Sequence, residues 1–282
     1  MYMYSIQREM RKNKGGIFLL SLLCGVLILS SGAVAQQLYL PAAPPANPAD
    51  YGKVILDNYA SSGPGPVVFD HWLHRSKFTC RLCHVDVGFA MQAKATGVSA
   101  STNRQGFHCG ACHDGKREFE GKPIFASCSD AVNDKQCDRC HSVGKKDARK
   151  YNYSSYTAKF PKGIYGVDWE AAEKNGSVKP VDFLPGISIK RSNMQSRPDF
   201  SIKAGLEWVN PVIFSHEKHA IWNGCELCHP EIFPTTSKAE AKYTMFSNIE
   251  GHHCGACHLK VAFSLNNCVK CHQRAPTWVK GN

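Results

Sequence analysis

One short pattern occurs six times in this sequence: two cysteines separated by two residues, with a histidine directly after the second. It is found at Cys80, Cys83 and His84; Cys109, Cys112 and His113; Cys137, Cys140 and His141; Cys225, Cys228 and His229; Cys254, Cys257 and His258; and Cys268, Cys271 and His272. Positions i, i+3 and i+4 share a helical face, so one turn presents two thiols and an imidazole together. That arrangement suits covalent haem attachment, with thioethers to two vinyl groups and the next imidazole on the iron. Zinc ribbons also use Cys-x-x-Cys pairs, and secreted cysteines commonly form disulfides. Neither needs a histidine after every pair. The pattern therefore implies six covalently bound haem c groups. It leaves two of the 14 cysteines unused, Cys24 and Cys128.

Each iron needs a second axial ligand or keeps an open position. Of the 13 histidines, seven lie outside the motifs. A shift of 145 residues superimposes the two halves, carrying Pro66-Val67-Val68-Phe69-Asp70-His71 onto Pro211-Val212-Ile213-Phe214-Ser215-His216 and Gly106 onto Gly251. His71, His74 and His108 fall on His216, His219 and His253, giving six further ligand candidates for six irons and leaving His252 over. Imidazole is a common axial partner of haem iron. Only the third motif breaks the shift: Cys109 to Cys137 spans 28 residues and Cys254 to Cys268 spans 14, which implies a 14-residue insertion around Pro123 to Gln136. The chain reads as a tandem duplication of a three-haem unit.

Local signals indicate how these groups are positioned. Asp70 and Ser215 are suited to cap short helices, each following a phenylalanine that can staple the turn. His71 and His74, like His216 and His219, then share a helical face, and so close a pair must serve two neighbouring haems rather than one. A chain with so few residues per haem cannot build a conventional core around each. The expected fold class is mostly irregular with short α-helices and little β, in two triheme modules organised around the covalent haems.

Each half resembles the c7-type triheme cytochromes, small relatives of the class III multihaem cytochromes c. The resemblance rests on the openings Val67-Val68-Phe69-Asp70-His71-x-x-His74 and Val212-Ile213-Phe214-Ser215-His216-x-x-His219, the Cys-x-x-Cys-His soon after, and the His-bearing second motif. It covers about residues 64–145 and 209–275. It implies that His71 pairs with His84, His74 with His113 and His108 with His141, and that His216 pairs with His229, His219 with His258 and His253 with His272. His108 and His253 stand directly before a haem-bearing cysteine rather than a few residues earlier, and His252 is the alternative to His253.

The remaining segments carry less chemistry. Arg8, Arg11, Lys12 and Lys14 precede the apolar run Ile17 to Ser30, followed by Ala33-Val34-Ala35. This is the pattern of a signal peptide over residues 1–35, which would also remove Cys24. Residues 36–63 read as a Pro/Ala-rich leader, 64–145 as the first module, 146–207 as a Cys-free linker and 208–282 as the second module. Within the linker, Asp168 is expected to cap a helix from Trp169 to Lys174 that stops at Gly176. Trp169, Tyr165, Phe183 and Leu184 favour a segment packed along the haem units over a free linker. Met91, Met194 and Met245 read as packing residues, and Cys128 as a buried or loop thiol.

The formal net charge of +11 suggests nucleic acid or a membrane surface as partner. Haem propionates offset it, so no nucleic-acid role is expected, and signal cleavage would leave no transmembrane segment. The expectation is a secreted electron carrier, periplasmic or at the cell surface, that exchanges electrons with redox proteins. Saturated bis-His irons argue against a multihaem oxyanion reductase, which needs an open iron. A subunit of a haem-stacked conductive filament, through self-association, is the other alternative.

Overall fold

The computed structural model describes residues 47–57, 64–128, 134–145, 150–164, 166–192, 197–234 and 243–273. The expected signal peptide with Cys24, most of the leader, Tyr165 and Met194 lie outside them.

The Val67–Asp70 strand pairs antiparallel with Lys53–Leu56, in a register that sets Lys53 opposite Asp70 and Leu56 opposite Val67. It runs straight into the helix His71–Arg75. The second half repeats the device: Phe200–Ile202 pairs with Val212–Phe214, ahead of the helix His216–Asn223. Each histidine pair is thus launched from a β-branched strand held by a second strand contributed from upstream. Ser215 caps its helix by accepting from the Lys218 N–H. Asp70 stands at the matching position without a side-chain cap bond; there the His71 N–H is already taken by the Gly52 carbonyl.

The motifs themselves occupy single turns, among them the π-helical Leu82–Asp86, the 3-10 turn His108–Ala111 and the short helices Gly255–His258 and Cys268–Cys271. The segment before the second motif is built identically in both halves. A capping box of Ser99 with Thr102 opens the helix Ala100–Arg104, and one of Thr244 with Ser247 opens Met245–Ile249. The fold is therefore mostly irregular, with short helices and two-stranded ladders, as expected.

The expected insertion divides in two. His113 and His258 each direct Nδ1 at a phenylalanine carbonyl, Phe125 and Phe263, and each ring packs on that phenylalanine at 4.4 Å and 58°. Twelve residues separate the first pair and five the second. Seven extra residues therefore precede Phe125 and form the ladder of Glu118–Phe119 with Lys122–Pro123. The other seven follow it.

Conventional core is scarce. Among the described residues, the buried apolar side chains are Trp72, Leu82, Phe160, Ala172, Val178, Leu227 and Leu265. The contiguous cluster, Phe160, Ala172 and Val178 with Trp169 and Trp222 against it, comes mainly from the Cys-free segment. That segment is packed rather than free. Its helix Trp169–Lys174 is capped by Asp168, which accepts from the Ala171 N–H, and Gly176 follows with φ +73°. Arg81 pairs with Asp182, and Arg191 spans Asp86 at 2.8 Å and Glu226 at 2.7 Å. Trp222 Nε1 donates to Glu173 at 2.6 Å. Phe183 stays exposed.

Candidate haem-binding site

All six motif histidines point Nδ1 at a backbone carbonyl. The partners are Phe89 at 2.8 Å for His84, Phe125 at 3.2 Å for His113, Gly65 at 2.6 Å for His141, Phe233 at 2.7 Å for His229, Phe263 at 2.9 Å for His258 and Asn210 at 2.5 Å for His272. A carbonyl only accepts, so Nδ1 carries the proton and Nε2 keeps its lone pair. Metal-ligating histidines show this outer-shell bond almost without exception, because it fixes the tautomer and the ring orientation. His71, His216 and His219 make the same bond, to Gly52 at 2.6 Å, Pro198 at 3.1 Å and Ser215 at 2.7 Å. His108 Nδ1 lies 3.4 Å from Thr102 Oγ1. The Nδ1 atoms of His74 and His253 are buried without a hydrogen-bond partner.

Three of the expected pairs face one another. Ring centroids are 6.4 Å apart for His71 and His84, 6.4 Å for His74 and His113, and 6.3 Å for His219 and His258. Two imidazoles bound to one metal at about 2.0–2.1 Å have ring centres roughly 6.3 Å apart, so each pair leaves room for one iron. Neighbours three apart on one helix, His71 and His74, thus face two different motifs. Among the described residues His216 and His229 do not adopt this spacing, nor do His253 and His272. The His216 ring is turned edge-on to Phe214 at 86°.

His108 and His253 share an unusual backbone, with φ +49° and +47°. A left-handed conformation is costly outside glycine, and it recurs at the same position of both units. The His108 ring packs on Phe89 at 5.5 Å and the His253 ring on Phe233 at 5.9 Å. These are the phenylalanines whose carbonyls orient His84 and His229. His252 is exposed.

A cavity of about 1180 Å³, mostly apolar in lining, runs through both halves. Cys80, Cys83, Cys109, Cys112, Cys140, Cys228, Cys254, Cys257 and Cys271 reach it, as do His71, His74, His84, His108, His113, His219, His253 and His258. Burial pushes the imidazoles of His71, His74 and His258 down to about 4, 3 and 4, keeping them neutral at Nε2. It pushes the thiols of Cys83, Cys109 and Cys257 up to about 12. The thirteen described cysteines form no disulfide among themselves. Donor set, tautomers and apolar space all fit haem.

Motif spacing picks out the cysteines and the histidines that follow them. It did not reveal the orienting carbonyls, although phenylalanines four or five residues after His84, His229 and His258 were a visible hint. It also missed Arg75, half-buried between the two halves with its Nε covered.

No curated protein matches the chain. Two hexahaem fragments of GSU1996, C-terminal and N-terminal, are each 24% identical to it. The first covers 82% of this chain and 98% of the fragment at a TM-score of 0.25; the second covers 79% and 99% at 0.24. A nine-haem cytochrome c is 17% identical over 83% of this chain and 100% of its own, at a TM-score of 0.20. At such scores these likenesses add nothing to the assignment. The sequence match is the informative one: residues 67–142 and 212–273 each match cytochrome c7 and related cytochromes c. These two segments are cytochrome c7-type modules, carried in tandem, and they make the chain a multihaem c-type cytochrome with covalently bound haem c.

Proposed function

We propose that the chain is an electron carrier that relays electrons through six low-spin, bis-His haems between redox proteins outside the cytoplasm. The observation that supports it best is the set of His71–His84, His74–His113 and His219–His258 pairs at the spacing of two imidazoles on one iron. The duplication extends the first pairing to His216 with His229, and the c7 resemblance implies the third pairing of each unit, His108 with His141 and His253 with His272. Haem iron, when bound, supplies one-electron redox chemistry, which the protein can tune but does not perform.

The chain's own residues do the rest. The twelve motif cysteines tether. The carbonyls of Gly52, Phe89, Phe125 and Phe263 hold Nδ1 protons so that Nε2 faces inward. His71 and His74, one helical turn apart, keep two redox centres close, which short-range electron hopping requires. His253 is the better ligand candidate than His252, since it lines the cavity and shares the backbone of His108.

Met ligation raises the potential of a c-type haem, so histidine on both faces keeps the potentials low. A carrier and a reductase separate cleanly by experiment. The fully reduced protein should be reoxidised by an oxidised c-type cytochrome but should not turn over nitrite. Sustained nitrite consumption would refute the carrier reading.

A further inference from the structure

Arg75 ends the helix that carries His71 and His74, and the half-buried side chain reaches across to the second half. One Nη donates to the Val261 carbonyl. The charge lies 4.4 Å over the Trp169 ring and 5.5 Å over that of Trp222. Nε is buried with no hydrogen-bond partner. Among the described residues no carboxylate stands within ion-pair distance of it. Its field acts on Tyr51, Cys80 and His71 from the first half and on Cys257 and His258 from the second, and the nearest anionic partner is the Glu173 carboxylate, which lies beyond ion-pair distance and is engaged by Trp222 Nε1.

A desolvated cation is expensive unless something anionic answers it, and one carbonyl and two aromatic faces are weak compensation. The second half has Ala220 at the equivalent position, so this charge belongs to the junction and not to the repeated plan.

We infer that Arg75 receives a haem propionate on Nε at this junction, and that its fixed charge holds the potentials of the haems attached at Cys80–His84 and Cys254–His258 above those that burial alone would set. The inference rests on haem occupancy of those two motifs. A fixed positive charge favours the reduced, more negative haem, so the junction becomes the place where an electron passing between the halves is held. Arg75 is a positioning and tuning residue and touches no iron ligand bond.

The test is a spectroelectrochemical titration of the full-length holoprotein beside Arg75→Gln and Arg75→Lys, with haem content measured on each. Arg75→Gln should lower two of the midpoints by at least a tenfold loss in the reduction equilibrium constant, about 59 mV for one electron, and leave the others in place. Arg75→Lys, which keeps the charge, should stay near the parent. Unchanged midpoints in Arg75→Gln, or equal shifts in both variants, would overturn the inference. Should Arg75→Gln fail to retain haem, a crystal structure of the parent holoprotein decides. A propionate oxygen within hydrogen-bond distance of Nε supports the inference, and an Nε that meets no carboxylate overturns it. Absence of haem at either junction motif in the parent would instead overturn the occupancy reading beneath it.

Discussion

The rings of His71 and His84 lie 3° from parallel, whereas those of His74 and His113 are crossed at 60°. His219 and His258, the duplicated counterparts of His74 and His113, are crossed at 62°. The crossed arrangement therefore recurs at the second position of both units. Gly52 and Phe89 set both rings of the first pair. In the second, Phe125 sets His113 while the Nδ1 of His74 has no partner; the crossing does not depend on that, since Ser215 and Phe263 hold both rings of His219 and His258.

That difference should be visible in the oxidised protein. Parallel axial imidazoles reinforce one another on a single iron d orbital and split the levels, while crossed ones largely cancel. Electron paramagnetic resonance should resolve two classes of low-spin iron, one rhombic and one strongly axial with a larger principal g value. A single class throughout would contradict the ring geometry.

His74→Met tests an individual ligand. Methionine raises the potential of a c-type haem, so one midpoint should move upward and the other five should stay close to their original values. An unmoved redox titration would remove His74 from the ligand set.

His253→Ala and His252→Ala separate the two neighbours. The first should expose a high-spin haem in the oxidised spectrum, because it removes a residue that reaches the cavity. The second alters an exposed ring and should leave the spectrum low-spin. The opposite result would exchange their roles.

Gly110→Ala probes the frame around the second motif. A Cβ there would stand 1.8 Å from the Asn103 carbonyl oxygen, just as one at Gly255 would from that of Asn248. Neither oxygen belongs to a movable side chain. The variant should lose correct attachment at Cys109 and Cys112, read as one haem fewer in the intact mass. A full complement of haem would show that the loop can yield.

Much of this was legible because covalent attachment demands fixed residue types at fixed spacing. The six motifs, the His71-x-x-His74 and His216-x-x-His219 pairs, and the capped helix after Asp168 all express local rules. Less legible were features that depend on distant partners. The strand Lys53–Leu56 lies in what reads as leader, and only its pairing with Val67–Asp70 shows that it steadies the first histidine pair. The insertion seemed a single block because sequence cannot tell that Phe125 and Phe263 do the same job. Arg75 carries no signal at all in sequence. Its burial arises from Trp169, Trp222 and Val261, which lie far along the chain.

The central claim is that six haems are present and every iron has two histidines. The most direct measurement is haem content together with spin state, from one optical and redox titration of the pure holoprotein. The account predicts six haems per chain, all low-spin in both oxidation states. Fewer than six haems, or a high-spin fraction in the untreated protein, would contradict it.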